Sequence, residues 1–495
     1  MSEREIEARR ARLQELREEG VDPYPARVGP RTAVREVVAE YGEATAEELE
    51  QAAPKVAVAG RIMAVRSFGK LVFLQVLEDG AALQLSARKK EMSPESFAFV
   101  KRLDVGDFVR AEGALWRTRT GELTVDVREA QILAKSVRPL PEKWHGLSDV
   151  ELRFRRRFLD LLVNEESRRI ALVRSRTLSA MRSFLDERGF MEVETPVLQP
   201  LYGGAAARPF STHHNTYDQT LFLRISDELY LKRLVAGGLD RVYEIGHNFR
   251  NEGISRKHNP EFTMMECYQA YADYRDMMEL TEAMVSEIAL AVRGTTKVEF
   301  QGESIDLGSW TQIPLRDAIH DATGVDFVEH DDLDGLRGAV RAKGLGEAAA
   351  PSWAKLVDDL FSEHVEPSLI QPTFMIDYPR ELSPLAKSSP RDPRLVERFE
   401  PFIGGMEIGN AFSELNDPDD QRDRLERQQE AQLSGDDEAH PLDEDYLLTL
   451  EYGLPPTGGL GIGVDRLVMV LADAPNLREV ILFPHLRPES DGGSS

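Results

Sequence analysis

The sequence predicts an α+β protein of several domains: a small N-terminal β-barrel, then a larger region of antiparallel strands flanked by helices. Three observations predict it. At 495 residues the chain exceeds what one hydrophobic core supports. Five short β segments with one helix among them fill the stretch from Val56 to about Ser136. Further on, two strand patterns flank a charged tip of roughly ten residues, which reads as a hairpin.

Residues 1–54 read as an N-terminal helical extension. From 3 to 19, Arg and Glu alternate at helical spacing over a thin apolar stripe of Ile6, Leu13 and Leu16. Gly20 and then Asp22-Pro23-Tyr24-Pro25 stop that helix. Residues 55–138 hold the five strands, at 56–62, 71–76, 82–85, 107–111 and 123–127. A helix at 91–103, between the third strand and the fourth, makes this an OB-fold barrel, a frequent carrier of single-stranded nucleic acid. Pro139-Leu140-Pro141 opens a linker with a hinge helix, residues 139–166, whose Arg-rich helix runs 153–162. A second helix, 167–188, enters the large region, 167–490, in which the motif-poor stretch 294–346 reads as a helical insertion.

Composition is that of a globular protein without biased tracts. No apolar run approaches the ~18 residues of a membrane span, and the charged start Met1-Ser2-Glu3-Arg4-Glu5 does not read as a signal peptide. The single cysteine, Cys267, excludes an internal disulfide and a cysteine-based zinc cluster. It falls in a strand, where a buried structural thiol is expected, and the cytoplasm is the expected compartment. The net charge of −25 argues at first against a nucleic-acid partner, because phosphate binding draws on Lys and Arg. Its distribution is uneven: residues 55–137 carry 14 Lys/Arg against 10 Asp/Glu, and residues 414–451 carry 3 against 14. This suits nucleic-acid binding at the barrel, although a solvated acidic face gives the same counts.

The hairpin tip carries the chemistry. Arg250, Glu252 and His258 put a fixed cation, a carboxylate and an imidazole on one turn. A guanidinium held by a rigid hairpin can clamp phosphate and carboxylate oxygens bidentately; a solvated loop is the alternative. Beyond the tip, Phe262, Met264, Glu266 and Tyr268 share one strand face, and Thr263, Met265, Cys267 and Gln269 the other. The spacing Gly459-x-Gly461-x-Gly463 fits neither a dinucleotide fingerprint nor a P-loop.

The run from Phe249 to Glu266 resembles motif 2 of the class II aminoacyl-tRNA synthetases, in the wording of bacterial lysyl-tRNA synthetases of subclass IIb. Gly189-Phe190-Met191-Glu192-Val193-Glu194-Thr195-Pro196 is similar to motif 1, and Gly458 through Leu467 to motif 3. In order, these motifs extend the resemblance from about Arg4 to Pro488. It implies a class II catalytic domain of antiparallel sheet and flanking helices, and a homodimeric, cytoplasmic ligase that needs no membrane. The implied reaction activates L-lysine with ATP and Mg²⁺ to lysyl-adenylate, then transfers lysine to the 3′ end of tRNA(Lys).

Residue roles follow from the same resemblance. Arg250 would bridge the amino-acid carboxylate and the α-phosphate, and Arg466 would bind the γ-phosphate, the two acting as catalytic residues. Glu252, His258 and Asn259 would surround ATP, with Phe262 stacked on adenine. Glu400 and Glu407 would hold Mg²⁺, Glu407 also meeting ATP. Gly204 and Glu228 would take the α-amino group of lysine, and Glu266 and Tyr268 its amino groups. Asn410, Phe412 and Glu414 alternate on one strand face, Phe412 on the aliphatic stem and Glu414 with Tyr268 at the ε-ammonium. Arg66, Phe73 and Gln84 would read the central uridine of the anticodon. Ser226-Asp227 and Gly246-His247 depart from the commonest lysyl wording, and are expected to touch only the pocket surroundings. The N-terminal helix stays open as an exposed appendage or a tRNA contact. Two other readings also stay open: a protein-lysylating relative, which usually lacks the barrel, and a non-catalytic paralogue with eroded arginines or metal carboxylates.

Overall fold

A computed structural model of the chain describes residues 3–141, 147–346, 350–433 and 440–488. Contacts divide it into two compact units, Met1–Gly146 and Leu147–Ser495. In the first, strands Lys55–Ser67, Leu71–Glu78, Ala81–Arg88, Phe108–Arg117 and Leu123–Ala134 close a barrel, with the last strand between the third and the fourth. Alternation decides which side faces in. Val72, Leu74 and Val76 enter the barrel core, while Phe73 and Gln75 between them stay half-buried on the other face. Helix Pro94–Lys101 starts where Ser93 accepts the Ser96 N–H, and its Phe97 and Val100 join the same core.

The N-terminal extension holds three helices, Glu3–Glu18, Val34–Tyr41 and Ala46–Ala52. The first is no solvated appendage. Leu13 and Leu16 are buried, Arg9 donates to the Val105 carbonyl oxygen at 2.8 Å, and Arg12 donates twice to Asp104 at 2.9 Å.

In the second unit one sheet runs Thr311–Pro314, Thr373–Pro379, Leu395–Ile403, Gly409–Ser413, Thr457–Gly463, Glu261–Ala270, Arg241–Phe249, Met191–Glu192. The pairs at its two edges are parallel and the inner ones antiparallel. On one face Met265, Cys267, Leu460 and Ile462 join a core shared with helices Glu165–Glu187, Tyr274–Arg293 and Val464–Ala472. Every residue of the last helix except Arg466 is buried. The opposite face is left to the site.

Two expectations change. The segment 294–346 is not wholly helical: it opens with the hairpin Lys297–Phe300 and Glu303–Asp306, and Thr311–Pro314 then joins the sheet edge. Strands of four residues are too short to announce a period of two, yet Val298, Phe300, Ile305 and Leu307 belong to the main core. The Arg-rich hinge helix is also two, Val150–Arg155 and Arg157–Val163, with Arg156 between them at φ −119°, ψ 52°. The break lets the buried Arg157 guanidinium donate to the carbonyl oxygens of Arg478 (2.8 Å) and Leu482 (2.9 Å) and to Asp160 (2.6 Å). A buried cation needs such acceptors.

Cys267 is buried, and burial pushes its thiol well above the ordinary range. The native protein should therefore leave an aromatic disulfide reagent unreacted, with one thiol appearing after denaturation. Rapid reaction of the native protein, followed by absorbance, would contradict this packing.

Candidate active site

The central hairpin pairs from Arg241 opposite Gln269 to Phe249 opposite Glu261. The Arg250 N–H closes it on the Pro260 carbonyl oxygen at 2.9 Å, and the Asn251 N–H anchors the tip to the Arg208 carbonyl oxygen at 2.8 Å. With Met265 and Cys267 committed to the core, Phe262, Met264, Glu266 and Tyr268 line a cavity of about 320 Å³. All fifteen residues expected at the nucleotide, metal and amino-acid positions line this one cavity: Gly204, Glu228, Arg250, Glu252, His258, Asn259, Phe262, Glu266, Tyr268, Glu400, Glu407, Asn410, Phe412, Glu414 and Arg466.

One end is cationic. The Arg250 guanidinium lies 5.0 Å over the Phe262 ring. Arg466 donates through Nη1 to the Glu407 carbonyl oxygen (2.7 Å) and carboxylate (3.2 Å), and its Nη2 is 3.3 Å from His258 Nε2. Burial lowers the Arg250 pKa, opposed by Glu252 and Glu407, and Arg466 adds to the lowering. Burial, then the Arg466 charge, lowers the His258 pKa and favours the neutral imidazole. The Asn259 amide donates to the Glu261 carbonyl oxygen at 2.6 Å. Asp465 ties the motif elements together: it accepts the Thr263 N–H at 2.9 Å and pairs with Arg174 of the long helix.

Along one wall, Glu400 accepts from Arg398 (2.6 Å) and the Tyr378 hydroxyl (2.7 Å). Burial pushes its carboxyl up to about 7, with Arg398 pulling it down and Glu407 adding to the push. Glu400 and Glu407 are hard oxygen donors that suit Mg²⁺. Two carboxylates do not complete its shell, so the donor set fits an ion that arrives with phosphate oxygens. No group of three or more metal-capable side chains occurs among the described residues.

The other end is acidic and buried. Glu266 is held by the Ser226 hydroxyl (2.9 Å), the Asp227 N–H (3.1 Å) and the Tyr268 hydroxyl (3.3 Å). Glu228 lies 2.5 Å from the Lys232 ammonium, and Glu414 pairs with that same ammonium. Burial raises the pKa of all three carboxyls; Lys232 opposes the rise at Glu228 and Glu414. Glycine at 459 is a steric demand, since a Cβ there would overlap the Glu414 carboxylate and the Tyr268 ring. Gly204 needs its φ of +87°, and a Cβ would fall 2.8 Å from Ser226 Oγ. Arg398 also donates to Asn410 at 2.8 Å, and Phe412 sits opposite Gly459.

Sequence reasoning missed three supports of this cavity: Arg398 in its wall, Lys232 buried behind Glu228 and Glu414, and the grip of Ser226-Asp227 on Glu266. That pair does more than surround the pocket, which corrects the expectation. The i, i+4 spacing of Glu228 and Lys232 was a visible signal for the second. On the barrel, Arg66 lies opposite Phe73 in the sheet register, and Gln84 falls on the same face two residues before Phe73's other partner, Ser86. Phe68, which was not singled out, is 66% exposed and meets Phe73 edge-on with ring centroids 6.4 Å apart.

Comparison with known proteins gives two family matches. Residues 149–487 match the tRNA synthetases class II (D, K and N), and residues 56–138 match the OB-fold nucleic acid binding domain. The chain is 55% identical to the lysine–tRNA ligase of Chloroflexus aurantiacus over 486 residues, 98% of each chain. It is 53% identical to that of Roseiflexus castenholzii, over 97% of this chain and 98% of the relative. With that of Staphylococcus aureus it shares 49%, over 97% of each.

Gly459→Ala should cost roughly 1–3 kcal/mol of stability through overpacking against Glu414 and Tyr268. Equal urea midpoints for the variant and the parent would refute that close approach.

Proposed function

The chain belongs to the class II tRNA synthetases (D, K and N), within the lysine–tRNA ligases, and from that premise we propose how it works. It is a ligase that activates L-lysine with ATP and transfers the lysyl group to tRNA(Lys). The observation that carries the reading is a single cavity with two arginines at one end and three buried carboxylates at the other. Such a polarity orients a triphosphate and a dicationic amino acid toward each other.

In the first step a carboxylate oxygen of lysine attacks the α-phosphorus of ATP, and pyrophosphate leaves. Arg250 spans the lysine carboxylate and the α-phosphate, while Arg466 holds the γ-phosphate from its open helix position. No covalent enzyme intermediate or general base is required, so positioning and charge neutralisation supply the rate. Glu252, His258 and Asn259 surround the nucleotide and Phe262 carries adenine on the ring face that Arg250 leaves open. Glu400 and Glu407 would hold Mg²⁺, which neutralises phosphate charge when bound. Gly204 and Glu228 take the α-amino group, Phe412 lies along the stem, and Glu266, Tyr268 and Glu414 receive amino groups, with Asn410 beside them. In the second step a terminal ribose hydroxyl of the tRNA attacks the acyl carbon, forming the ester and releasing AMP.

The barrel serves the anticodon, with Phe73 and Phe68 as stacking surfaces and Arg66 and Gln84 at base edges. A homodimer formed through motif 1 is supported by exposed Leu172, Met191, Val197, Leu198 and Leu201 on and after the long helix. The protein acts in the cytoplasm. A protein-lysylating role is disfavoured by the closed barrel, and a non-catalytic one by the presence of Arg250, Arg466, Glu400 and Glu407 in one cavity.

Arg250→Ala should lower lysine-dependent ATP–pyrophosphate exchange by roughly 100- to 1000-fold with the thermal unfolding profile kept. Retained exchange would remove Arg250 from the reaction. Glu414→Gln should raise the lysine KM by roughly 100-fold and leave the ATP KM near its parent value; parallel losses would misplace the pocket. Phe73→Ala should raise the tRNA KM about tenfold, as expected for one lost base stack, with exchange untouched. A fall in exchange would deny Phe73 an anticodon role.

A further inference from the structure

We propose that Lys232 is a specificity-determining positioning residue, an internal cation that aligns Glu228 with Glu414 and sets at two the number of ammonium groups the pocket accepts. This rests on the lysine-activating reading above. Lys232 is fully buried on helix Glu228–Ala236, one turn beyond Glu228. Its ammonium reaches Glu228 on its own helix and Glu414 at the end of strand Gly409–Ser413. It therefore ties together the two carboxylates assigned to the α-amino and ε-amino groups of one substrate. The Phe412 and Tyr446 rings lie 5.3 Å and 5.8 Å from the nitrogen, a cation–π environment in place of water.

The groups facing this cation come from several elements. Glu228, Glu414 and Tyr446 act on Lys232 directly, His440 feels its charge, Glu266 acts on Glu414, and Tyr268 feels all three carboxylates. Arg398 acts on Glu228 from the Leu395–Ile403 strand. Burial works against the Lys232 charge, but Glu228 and Glu414 outweigh it and raise the pKa.

Charge then selects the substrate. Glu228, Glu266 and Glu414 set against Lys232 leave two negative charges in the slot. Lysine brings two ammonium groups there, and Arg250 takes its carboxylate. A neutral side chain would leave a buried carboxylate without a partner, which is costly. Glu414 Oε1, above Gly459, has no hydrogen-bond partner among the described residues. Lys232 pairs with the other oxygen, Oε2, and the carboxylate lines the cavity.

Without Lys232, Glu228 and Glu414 lose their fixed counter-charge and retain protons to higher pH. Lysine binds the deprotonated cluster, so its kcat/KM should rise as pH rises through the raised carboxyl pKa and fall below it. The experiment compares the full-length parent, Lys232→Met and the charge-keeping Lys232→Arg in lysine-dependent ATP–pyrophosphate exchange from pH 5.5 to about 9, the span of the buffered assay. Lys232→Met should raise the lysine KM on the order of tenfold and move the midpoint of the lysine kcat/KM profile up by about one pH unit or more. Its ATP KM should stay within about twofold of the parent. Lys232→Arg should keep the parent midpoint. The inference is overturned if Lys232→Met leaves midpoint and lysine KM unchanged, or if both substrates' KM values rise with the midpoint unmoved, as a structural pair requires. Should Lys232→Met not fold, Lys232→Arg decides: a parent midpoint with a raised lysine KM supports the inference, and any other result overturns it. A parent without lysine-dependent exchange would defeat the functional reading instead, so the two failures are distinguishable.

Discussion

Burying three carboxylates in one slot is the constraint around which the second unit is organised. Taking an isolated carboxylate out of water costs several kcal/mol even after relaxation, so each needs its own device. Glu266 collects donors from Ser226, Asp227 and Tyr268, while Glu228 and Glu414 share the Lys232 ammonium. Behind them Arg224 is itself buried, placed 2.9 Å from Asp227 and 2.5 Å from Glu244. Gly246 leaves the space this guanidinium fills, and Gly459 leaves the space for Glu414. The glycines and buried cations are therefore consequences of the same acidic slot.

The sheet converts that local chemistry into a directional site. Its antiparallel register sets Glu266 beside Gly461 and Tyr268 beside Gly459, so one wall of the pocket has no side chains. The same strand then enters a helix whose single open position is Arg466, and Asp465 ties that helix to Thr263 and Arg174. Acidic and cationic ends thus hang on one continuous piece of chain. Rigid placement of opposite charges is what a reaction without a protein nucleophile requires.

Much of this was legible in the residues. The alternation Phe262, Met264, Glu266, Tyr268 gave the cavity face because period two is unambiguous in a long central strand. The barrel was legible because its strands alternate and its helix interrupts them once. The hairpin at Lys297–Asp306 was not, since four residues per strand show too little period. Nor was the break at Arg156, which answers to acceptors more than 300 residues away on Arg478 and Leu482. Lys232 was passed over because an i, i+4 Glu–Lys pair is ordinarily a solvated helix face. Only burial reveals that this one sits behind a pocket wall, paired with two of its carboxylates.

A crystal structure with lysine and a non-hydrolysable ATP analogue tests the account most directly. The lysine ε-ammonium should lie within roughly 2.7–3.2 Å of a Glu414 oxygen, with Lys232 still seated between Glu228 and Glu414, and Arg250 between the lysine carboxylate and the α-phosphate. An ε-ammonium bound elsewhere, with Lys232 alone satisfying Glu414, would contradict it.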